Sequence, residues 1–245
     1  MLRTLVTLPD LRHRHREREL MDAPGLDPTQ HVQALEALAK VNRISGVAAR
    51  VWKDVLHLSG ERGVPESGEP LRLLDVACGG GDVMLDVARR ARSADVPLEV
   101  HGCDVSPVAL GHARGEAVRW GLIANFIERD VLSEGLPEGY DLVCSSLFHH
   151  HLSDADAVNL LRGMAAAGDC VLVQDLLRST VGYMLAWTGL RILSRSRVAH
   201  VDGPLSVRAA FNLSEVRSMA EEAGLAKAVI RRGWPERFIL RWNEA

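Results

Sequence analysis

A glycine-rich segment after an apolar run is the part of this sequence best suited to hold a ligand. Residues 71–76 are mostly apolar, and residues 77–81 follow with three consecutive glycines. Glycines let the backbone approach a bulky ligand at positions where side chains would collide. The free N–H groups at the start of a following helix add hydrogen bonds and partial positive charge. A strand, a glycine loop and a helix in this order are typical of a nucleotide-type ligand site.

A carboxylate in front of the glycines indicates the charge of that ligand. Asp75 ends the predicted strand, and Met84 stands where the dinucleotide pattern G-x-G-x-x-G/A requires a small residue. A carboxylate 4 Å from a pyrophosphate charge is repelled by about 1 kcal/mol even in bulk water. A positively charged ligand reverses the sign of this interaction. The loop therefore favours a cationic nucleotide-like ligand over a dinucleotide.

Three consecutive histidines, residues 149–151, follow the strand predicted near 140–145. A phenol, with a pKa of about 10, is a poor nucleophile until it is deprotonated, and a histidine with a pKa of about 6.5 is a suitable base. His149 and His150 are therefore candidate general bases, with structural packing as the alternative. Side chains of adjacent residues rarely converge on one ion, and no carboxylate in the nearby sequence completes a ligand set. We expect no metal here.

The loop and the strand ends around it resemble the class I S-adenosylmethionine-dependent methyltransferases. Residues 75–81 are similar to the D/E-x-G-x-G-x-G loop of that family, with Ala77 at the first glycine position. The resemblance continues at Asp104, which ends the second strand and in the family accepts hydrogen bonds from both ribose hydroxyls. Asp130, after the third strand, matches the acidic position that binds the adenine amino group.

The resemblance implies S-adenosyl-L-methionine as the cofactor and assigns residues to it. Asp75 is expected near the ammonium group of the cofactor, and Asp82 is expected to cap the following helix rather than to bind directly. The implied cofactor-binding residues are Asp75, Ala77, Cys78, Gly79, Gly81, Asp104, Val105, Asp130, Val131 and Ser145.

Alternating strands and helices must position these residues. Strands are predicted near 71–76, 98–103, 124–128, 140–145 and 169–174, and helices near 82–92, 107–120, 154–166, 179–194 and 213–223. Ser106 and Pro107 form a strong helix start. Strand candidates near 226–232 and 236–242 are too closely connected for a parallel crossover, which predicts an antiparallel pair. The fold class is therefore α/β, a Rossmann-like doubly wound sheet of about seven strands, mostly parallel with an antiparallel C-terminal strand.

Segments outside this alternation suggest additional parts. Residues 1–60 are expected to form a basic arm, solvated or in contact with an acidic partner, and a helical cap ahead of the domain at 61–245. A lid insertion is expected near 178–205, with a loop following residue 194. Tyr183, Trp187 and His200 are its candidate substrate-pocket residues, and a plain core role is the alternative for this apolar stretch.

Composition limits the classes of function. The 245 residues carry a net charge of −3, which argues against a dedicated nucleic-acid binder. The four scattered cysteines fall in or beside predicted strands, which is typical of reduced core thiols in a cytoplasmic protein. The N-terminus has no signal-peptide pattern, and the apolar stretch near 181–193 is too short to span a bilayer, although it could lie on a membrane. The sequence does not indicate an oligomeric state.

These observations favour an enzyme acting on a small molecule. The chain resembles methyltransferases of ubiquinone and menaquinone biosynthesis and of secondary metabolism, which implies a hydrophobic aromatic or polyketide-like acceptor, methylated at oxygen. Methylation at carbon, a protein or RNA acceptor, and a noncatalytic nucleotide binder are the alternatives. Metal-dependent catechol methyltransferases place a carboxylate at the end of the fourth strand, where this sequence has Ser145 and Ser146.

Overall fold

Seven strands form one sheet in the computed structural model, which describes residues 9–23, 25–62 and 69–243. The strands are β1 Leu71–Val76, β2 Leu98–Asp104, β3 Asn125–Glu128, β4 Tyr140–Ser146, β5 Gly168–Leu176, β6 Val229–Gly233 and β7 Arg237–Asn243. Their order is β3-β2-β1-β4-β5-β7-β6. The first five strands are parallel, and β7 runs antiparallel to both β5 and β6. The predicted fold class is confirmed.

Helices cover both faces of the sheet. They are α1 Pro28–Ile44, α2 Val47–Arg62, α3 Asp82–Ser93, α4 Pro107–Trp120, α5 Asp154–Ala167, α6 Thr180–Leu193, α7 Arg197–Ala209 and α8 Leu213–Glu222. Side chains alternate across β1: Leu73 packs with α2, α3 and α4, whereas Leu74 packs with α5 and α8. This alternation is the period of two expected for a strand buried on both faces.

The topology places the carboxyl end of β1 where ligands bind in doubly wound sheets. β1 lies between β2 and β4: the chain continues from β1 to β2 and β3 on one side and then crosses to β4 on the other. Such a switch point leaves a crevice outside the carboxyl ends of the strands. The loop that follows Asp75 begins in this crevice, and Asp104 ends the neighbouring strand in register with Glu128 of β3.

The start of α4 forms as predicted, but the segment after α6 does not. Ser106 caps α4 by accepting a hydrogen bond from the backbone of Ala109, and Pro107 is the first helical residue. The loop expected after residue 194 is instead helix α7. Gly203 and Pro204 lie inside this helix, and both residue types are unfavourable in helix interiors. A side chain at Gly203 would collide with Leu190 of α6, so close helix packing explains the glycine.

The described part of the basic arm is attached to the protein surface through Arg14. Arg14 donates hydrogen bonds to the backbone carbonyls of His150, Leu152 and Ala209, and its guanidinium carbon lies 3.6 Å from the ring centroid of Phe211. Hydrogen bonds from a guanidinium to carbonyls are charge-assisted and therefore strong. The arm thus runs across the segment that carries the three histidines, while most of its basic side chains remain exposed to solvent, as expected.

The boundary predicted near residue 60 is crossed by one hydrophobic core. Val47, Val51 and Val55 of α2 pack with Leu73 of β1 and with residues of α3. The predicted lid region corresponds to α6 and α7, which pack against each other and against α1. Among the described residues, every helix is too short or too polar to cross a membrane.

The close approach of β2 to the glycine loop gives a prediction about stability. A Cβ atom at Gly102 would lie 2.5 Å from Met84 Sδ and 2.7 Å from Cys78 Sγ. Gly102→Ala should therefore lower the free energy of unfolding by about 1–3 kcal/mol. Gly111→Ala on α4 is the matched control, because nothing lies within 4 Å of its Cβ position. That variant should gain stability from the higher helix propensity of alanine. Equal denaturant midpoints for the two variants would contradict the close packing.

Candidate functional site

The loop after β1 is held in a conformation that exposes its backbone. Ala77, Gly79 and Gly81 have φ angles of +56°, +52° and +73°. The N–H of Gly79 donates to Asp104 Oδ2 over 2.8 Å, and the N–H of Ser106 donates to Asp104 Oδ1 over 2.8 Å. Ala77 carries a Cβ in the left-handed region, at a cost of about 1–2 kcal/mol. Strain of this kind persists where the surrounding structure over-determines a functional turn.

Asp75 is a buried carboxylate close to other acidic groups. It is 2% exposed, and the thiol of Cys144 donates to its Oδ1 over 3.5 Å. Burial raises the pKa of Asp75 to about 7, and the negative charges of Asp82 and Asp104 add to this effect, whereas the thiol opposes it. A cation that binds beside this carboxylate stabilises its charged form. The electrostatics of the loop therefore favour a positively charged ligand group.

Helix α1 contributes to the same site through Asn42 and Leu35. Asn42 Nδ2 donates to Asp82 Oδ2 over 3.1 Å, and Leu35 lies over the loop, with Cδ2 3.7 Å from the Cβ position at Gly79. The predicted capping role of Asp82 is wrong by one residue. Gly81 is the N-cap of α3, and Asp82 lies in the first turn, where burial raises its pKa.

The remaining predicted cofactor residues differ in exposure. Cys78 and Val131 are buried, and the buried hydroxyl of Ser145 donates to the carbonyl of Val76 over 3.2 Å. Val105 is 67% exposed beside Asp104. Asp130 follows β3 and is exposed, with its carboxylate accepting from the hydroxyl of Ser133 and the N–H of Leu132. The hydrogen bond from Ser133 is the main cause of its lowered pKa.

A buried arginine at the same edge of the sheet was missed from the sequence. Arg237 begins β7 and is 1% exposed, and its Nε and Nη1 atoms have no hydrogen-bond partner among the described residues. Its Nη2 lies 3.5 Å from Asn42 Oδ1. Burial lowers its pKa to about 10, partly offset by Asp175 and Asp82, so the guanidinium stays charged at neutral pH. Unsatisfied buried donors of this kind require an explanation such as a ligand.

The first two histidines of the run have opposite environments. His149 is buried, with neither ring nitrogen bonded to any described residue, and burial lowers its pKa to about 4. His150 Nδ1 lies 2.7 Å from Asp175 Oδ1, and its backbone N–H donates to Asp175 Oδ2. Burial alone would lower the pKa of His150, but Asp175, followed by Glu19, raises it to about 10. His149 is thus neutral, and His150 is held by a carboxylate.

The arm supplies carboxylates to this histidine segment, a short 3-10 helix at His149–His151. Glu19 lies between the Nε2 atoms of His150 and His151, and Asp22 Oδ2 lies 3.2 Å from His151 Nδ1. A cavity of about 330 Å³ opens beside them. Its described lining residues are Arg16, Glu17, Arg18, Glu19, Asp22, His150, His151 and Ala209.

The predicted substrate-pocket residues lie elsewhere, on the two helices of the lid region. Tyr183 and Trp187 are half-buried on α6, and the guanidinium carbon of Arg191 lies 4.1 Å from the Trp187 ring centroid. His200 Nε2 lies 3.1 Å from the carbonyl oxygen of Leu190 and 2.9 Å from that of Ser194. His200 therefore ties the end of α6 to α7. The described lining of the cavity beside Glu19 includes none of these three predicted residues.

A sheet of this order with a glycine loop at its switch point defines a Rossmann-like nucleotide-binding α/β protein. Residues 73–167 match a family described as a methyltransferase domain. Over 108 residues the chain is 34% identical to a demethylmenaquinone methyltransferase of Thermus thermophilus. This alignment covers 43% of the chain and 47% of the Thermus protein. Over residues 73–167 the chain is therefore similar to the class I S-adenosylmethionine-dependent methyltransferases.

Another relative and a solved structure are similar over most of the chain. A ubiquinone biosynthesis O-methyltransferase of Bordetella bronchiseptica is 26% identical over 85% of this chain and 86% of its own length. Magnesium protoporphyrin IX methyltransferase of Synechocystis PCC 6803, solved with bound S-adenosylhomocysteine, superposes with a TM-score of 0.55 at 18% identity, covering 82% of this chain and 84% of that chain. The matches to the Thermus protein and to a Burkholderia ambifaria relative span about half the length of each, 47% and 57%.

The raised pKa of Asp75 gives a prediction about stability in the absence of ligand. Its pKa is about 7 in the folded protein and 3.8 ordinarily, so the folded state prefers the protonated form. The contribution of this protonation to the free energy of unfolding is complete below pH 3.8 and is lost as pH rises to about 7. Asp75→Asn should therefore be more stable than the parent at pH 8 and should lose this advantage toward pH 4. Thermal unfolding measures this difference, because each kcal/mol of stability shifts the Tm by about 2–4 °C.

Asp86→Asn provides a control of opposite sign. Hydrogen bonds from Arg89 and Arg90 outweigh burial and lower the pKa of Asp86, so this variant should lose stability at pH 8. If the difference in Tm between Asp75→Asn and the parent did not change with pH, Asp75 would not be the perturbed group.

Proposed function

We propose that this protein transfers the methyl group of S-adenosyl-L-methionine to a small hydrophobic acceptor, at oxygen. The observation that carries the proposal is the turn at residues 77–81, with Asp75 before it and Asp104 holding the N–H of Gly79. This arrangement repels a pyrophosphate and accommodates a cationic, ribose-bearing ligand. When bound, the cofactor supplies an electrophilic methyl group on a sulfonium.

The charged residues of the site fit the parts of that cofactor. Asp75 faces the ammonium group, and the positive-φ turn exposes backbone at the methionine and ribose portions. Each oxygen of Asp104 already accepts one backbone N–H and retains a lone pair for a ribose hydroxyl. Asp130 binds the adenine amino group, with Val105 and Val131 along the base.

Arg237 provides the charge that the cofactor carboxylate requires. Its unpartnered Nε and Nη1 donors are buried at the carboxyl edge of the sheet, close enough to Asp82 for their charges to interact. A guanidinium binds a carboxylate with two parallel hydrogen bonds. Together, Asp75 and Arg237 would complement both charges of an amino-acid zwitterion.

The acceptor is proposed to occupy the cavity beside the histidine segment. Methyl transfer needs an in-line approach and exclusion of water, so the protein contributes mainly position. Of the two predicted base candidates, His150 is among the described residues that line the cavity. We therefore assign contact with the polar end of the acceptor to His150 and Glu19. Tyr183 and Trp187 of α6 lie outside this lining, and we assign the apolar part of the acceptor to them.

The class of acceptor follows from the relatives and the composition of the cover. An aromatic, quinone-precursor or polyketide-like molecule, of the kind handled in secondary metabolism, would suit the apolar side chains of α6. The Bordetella relative is an O-methyltransferase, which supports oxygen as the acceptor atom. The Thermus relative is a demethylmenaquinone methyltransferase. Methylation at carbon, of the quinone type, is the second candidate. The four buried cysteines favour a reducing, cytoplasmic setting.

Replacement of Asp104 tests the ribose assignment. Asp104→Ala removes the acceptor for both hydroxyls, and we expect it to weaken S-adenosylhomocysteine binding by about 10- to 100-fold, since hydrogen bonds to charged groups contribute about 1.5–3 kcal/mol. Isothermal titration calorimetry measures this change. Glu128→Ala, on the neighbouring strand at the register position of Asp104, is the control and should bind normally. Unchanged affinity in Asp104→Ala would remove the ribose assignment.

Replacement of Arg237 separates a ligand-binding role from a structural role. Arg237→Met removes a buried charge with unpartnered donors, so the thermal stability without ligand should stay the same or rise, whereas S-adenosylhomocysteine affinity should fall by about 10- to 100-fold.

Arg178 provides the contrasting control. It is buried, but each of its three nitrogens donates to Leu11, Ala210 or Glu215, so Arg178→Met should lose stability and retain affinity. If Arg237→Met unfolded at lower temperature with normal affinity, the carboxylate assignment would be wrong.

A further inference from the structure

The structure brings together two histidines and a glutamate that are far apart in the sequence. Glu19 belongs to the N-terminal arm, and His150 and His151 belong to the 3-10 helix after β4. One potential ligand atom from each residue lies within 4.8 Å of the other two. We propose that Glu19, His150 and His151 form a zinc site beside the acceptor cavity.

The distances within this cluster suit a metal better than hydrogen bonds. Glu19 Oε1 lies 3.6 Å from His150 Nε2, and Glu19 Oε2 lies 3.9 Å from His151 Nε2. Both separations exceed a normal N–H···O distance of about 2.7–3.2 Å. Ligand atoms bound tetrahedrally to zinc at about 2.0–2.1 Å are separated by about 3.3–3.4 Å. A small inward movement of each side chain would therefore complete the coordination.

Both histidines already have the outer carboxylate that metal-binding histidines use. His150 Nδ1 lies 2.7 Å from Asp175 Oδ1, and His151 Nδ1 lies 3.2 Å from Asp22 Oδ2. Such a carboxylate on one ring nitrogen directs the other nitrogen toward the metal and raises its basicity. Both Nε2 atoms consequently face Glu19, and this repeated pattern is the strongest argument for the site.

The third ligand is held as firmly as the histidines. Glu19 is 7% exposed, and its Oε1 accepts a hydrogen bond from the hydroxyl of Ser206 over 2.6 Å. Arg14, five residues earlier, binds the carbonyls of His150 and Leu152 and fixes the arm against the 3-10 helix. The expectation that no carboxylate completes a ligand set fails because the carboxylate comes from the arm.

The set leaves one coordination position for an exogenous ligand. Two histidines and one glutamate are a ligand set of catalytic zinc sites, which keep their fourth position open. The cavity beside the cluster is also lined by Arg16 and Arg18, which favours an anionic oxygen there. That this oxygen belongs to a phenolate or enolate acceptor rests on the proposed function, whereas zinc binding itself does not.

Metal binding is tested on the full-length protein, purified without a polyhistidine tag and treated with EDTA. Titration with Zn²⁺ against a chromophoric chelator should give one equivalent bound per chain. Replacement by Co²⁺ should give the visible ligand-field bands of a tetrahedral site. Glu19→Gln and His151→Asn should each lower zinc affinity by at least about 100-fold, and Asp175→Asn by about 10- to 100-fold.

His13→Ala is the matched control, because His13 is an exposed histidine of the same arm. It should leave zinc affinity unchanged, and circular dichroism should verify that every variant is folded. Less than one equivalent of zinc in the parent, or equal affinity in the parent and in both ligand variants, would overturn the proposal. The cluster would then be an ion pair that fixes the arm.

S-adenosylhomocysteine binding to the EDTA-treated parent separates this proposal from the proposed function. Retained binding without zinc uptake would reject only the metal site. Zinc uptake without binding of S-adenosylhomocysteine would reject only the methyltransferase assignment.

Discussion

The geometry of the ligand site depends on one hydrogen-bonded turn. Asp104 at the end of β2 accepts the N–H of Gly79, and the turn from Ala77 to Gly81 passes three times through positive φ. A turn of this shape keeps side chains away from the crevice and leaves its backbone exposed. It also brings Asp75, Asp82 and Asp104 close enough to raise the pKa of Asp75 beyond the effect of burial.

This concentration of buried negative charge is unfavourable without a ligand and explains the surrounding polar residues. Asn42 bridges Asp82 and the buried guanidinium of Arg237, so α1, α3 and β7 meet at one point. Arg237 is charged yet lacks partners for two donor atoms among the described residues. Under the proposed function, these carboxylates and this guanidinium would bind the two opposite charges of one zwitterionic ligand.

The sequence predicts the sheet because its signals are local. Alternating apolar runs mark the strands, and Ser106 and Pro107 mark the start of α4 at the residue where it begins. The sequence does not predict α7, because Gly203 and Pro204 interrupt its helical pattern. In the structure Gly203 is required, because a side chain there would collide with Leu190 of α6. Local rules cannot detect a requirement imposed by another helix.

Long-range contacts limit prediction of the site in the same way. Asp75 and Asp104 could be identified because each lies at the carboxyl end of a strand beside the loop. Glu19 and Arg237 could not, since nothing near them in the sequence indicates that the arm reaches the 3-10 helix or that β7 begins at the ligand edge. Arg14 attaches the arm to the 3-10 helix by donating to the carbonyls of His150 and Leu152, and only the fold brings these carbonyls near Arg14.

The most direct measurement is competition for the site against labelled S-adenosylmethionine in equilibrium dialysis. We expect displacement by S-adenosylhomocysteine, much weaker displacement by an analogue that lacks the α-amino group, and none by NADH. Displacement by NADH, or equal competition by the analogue without the amino group, would contradict a loop whose carboxylates select a cationic ligand.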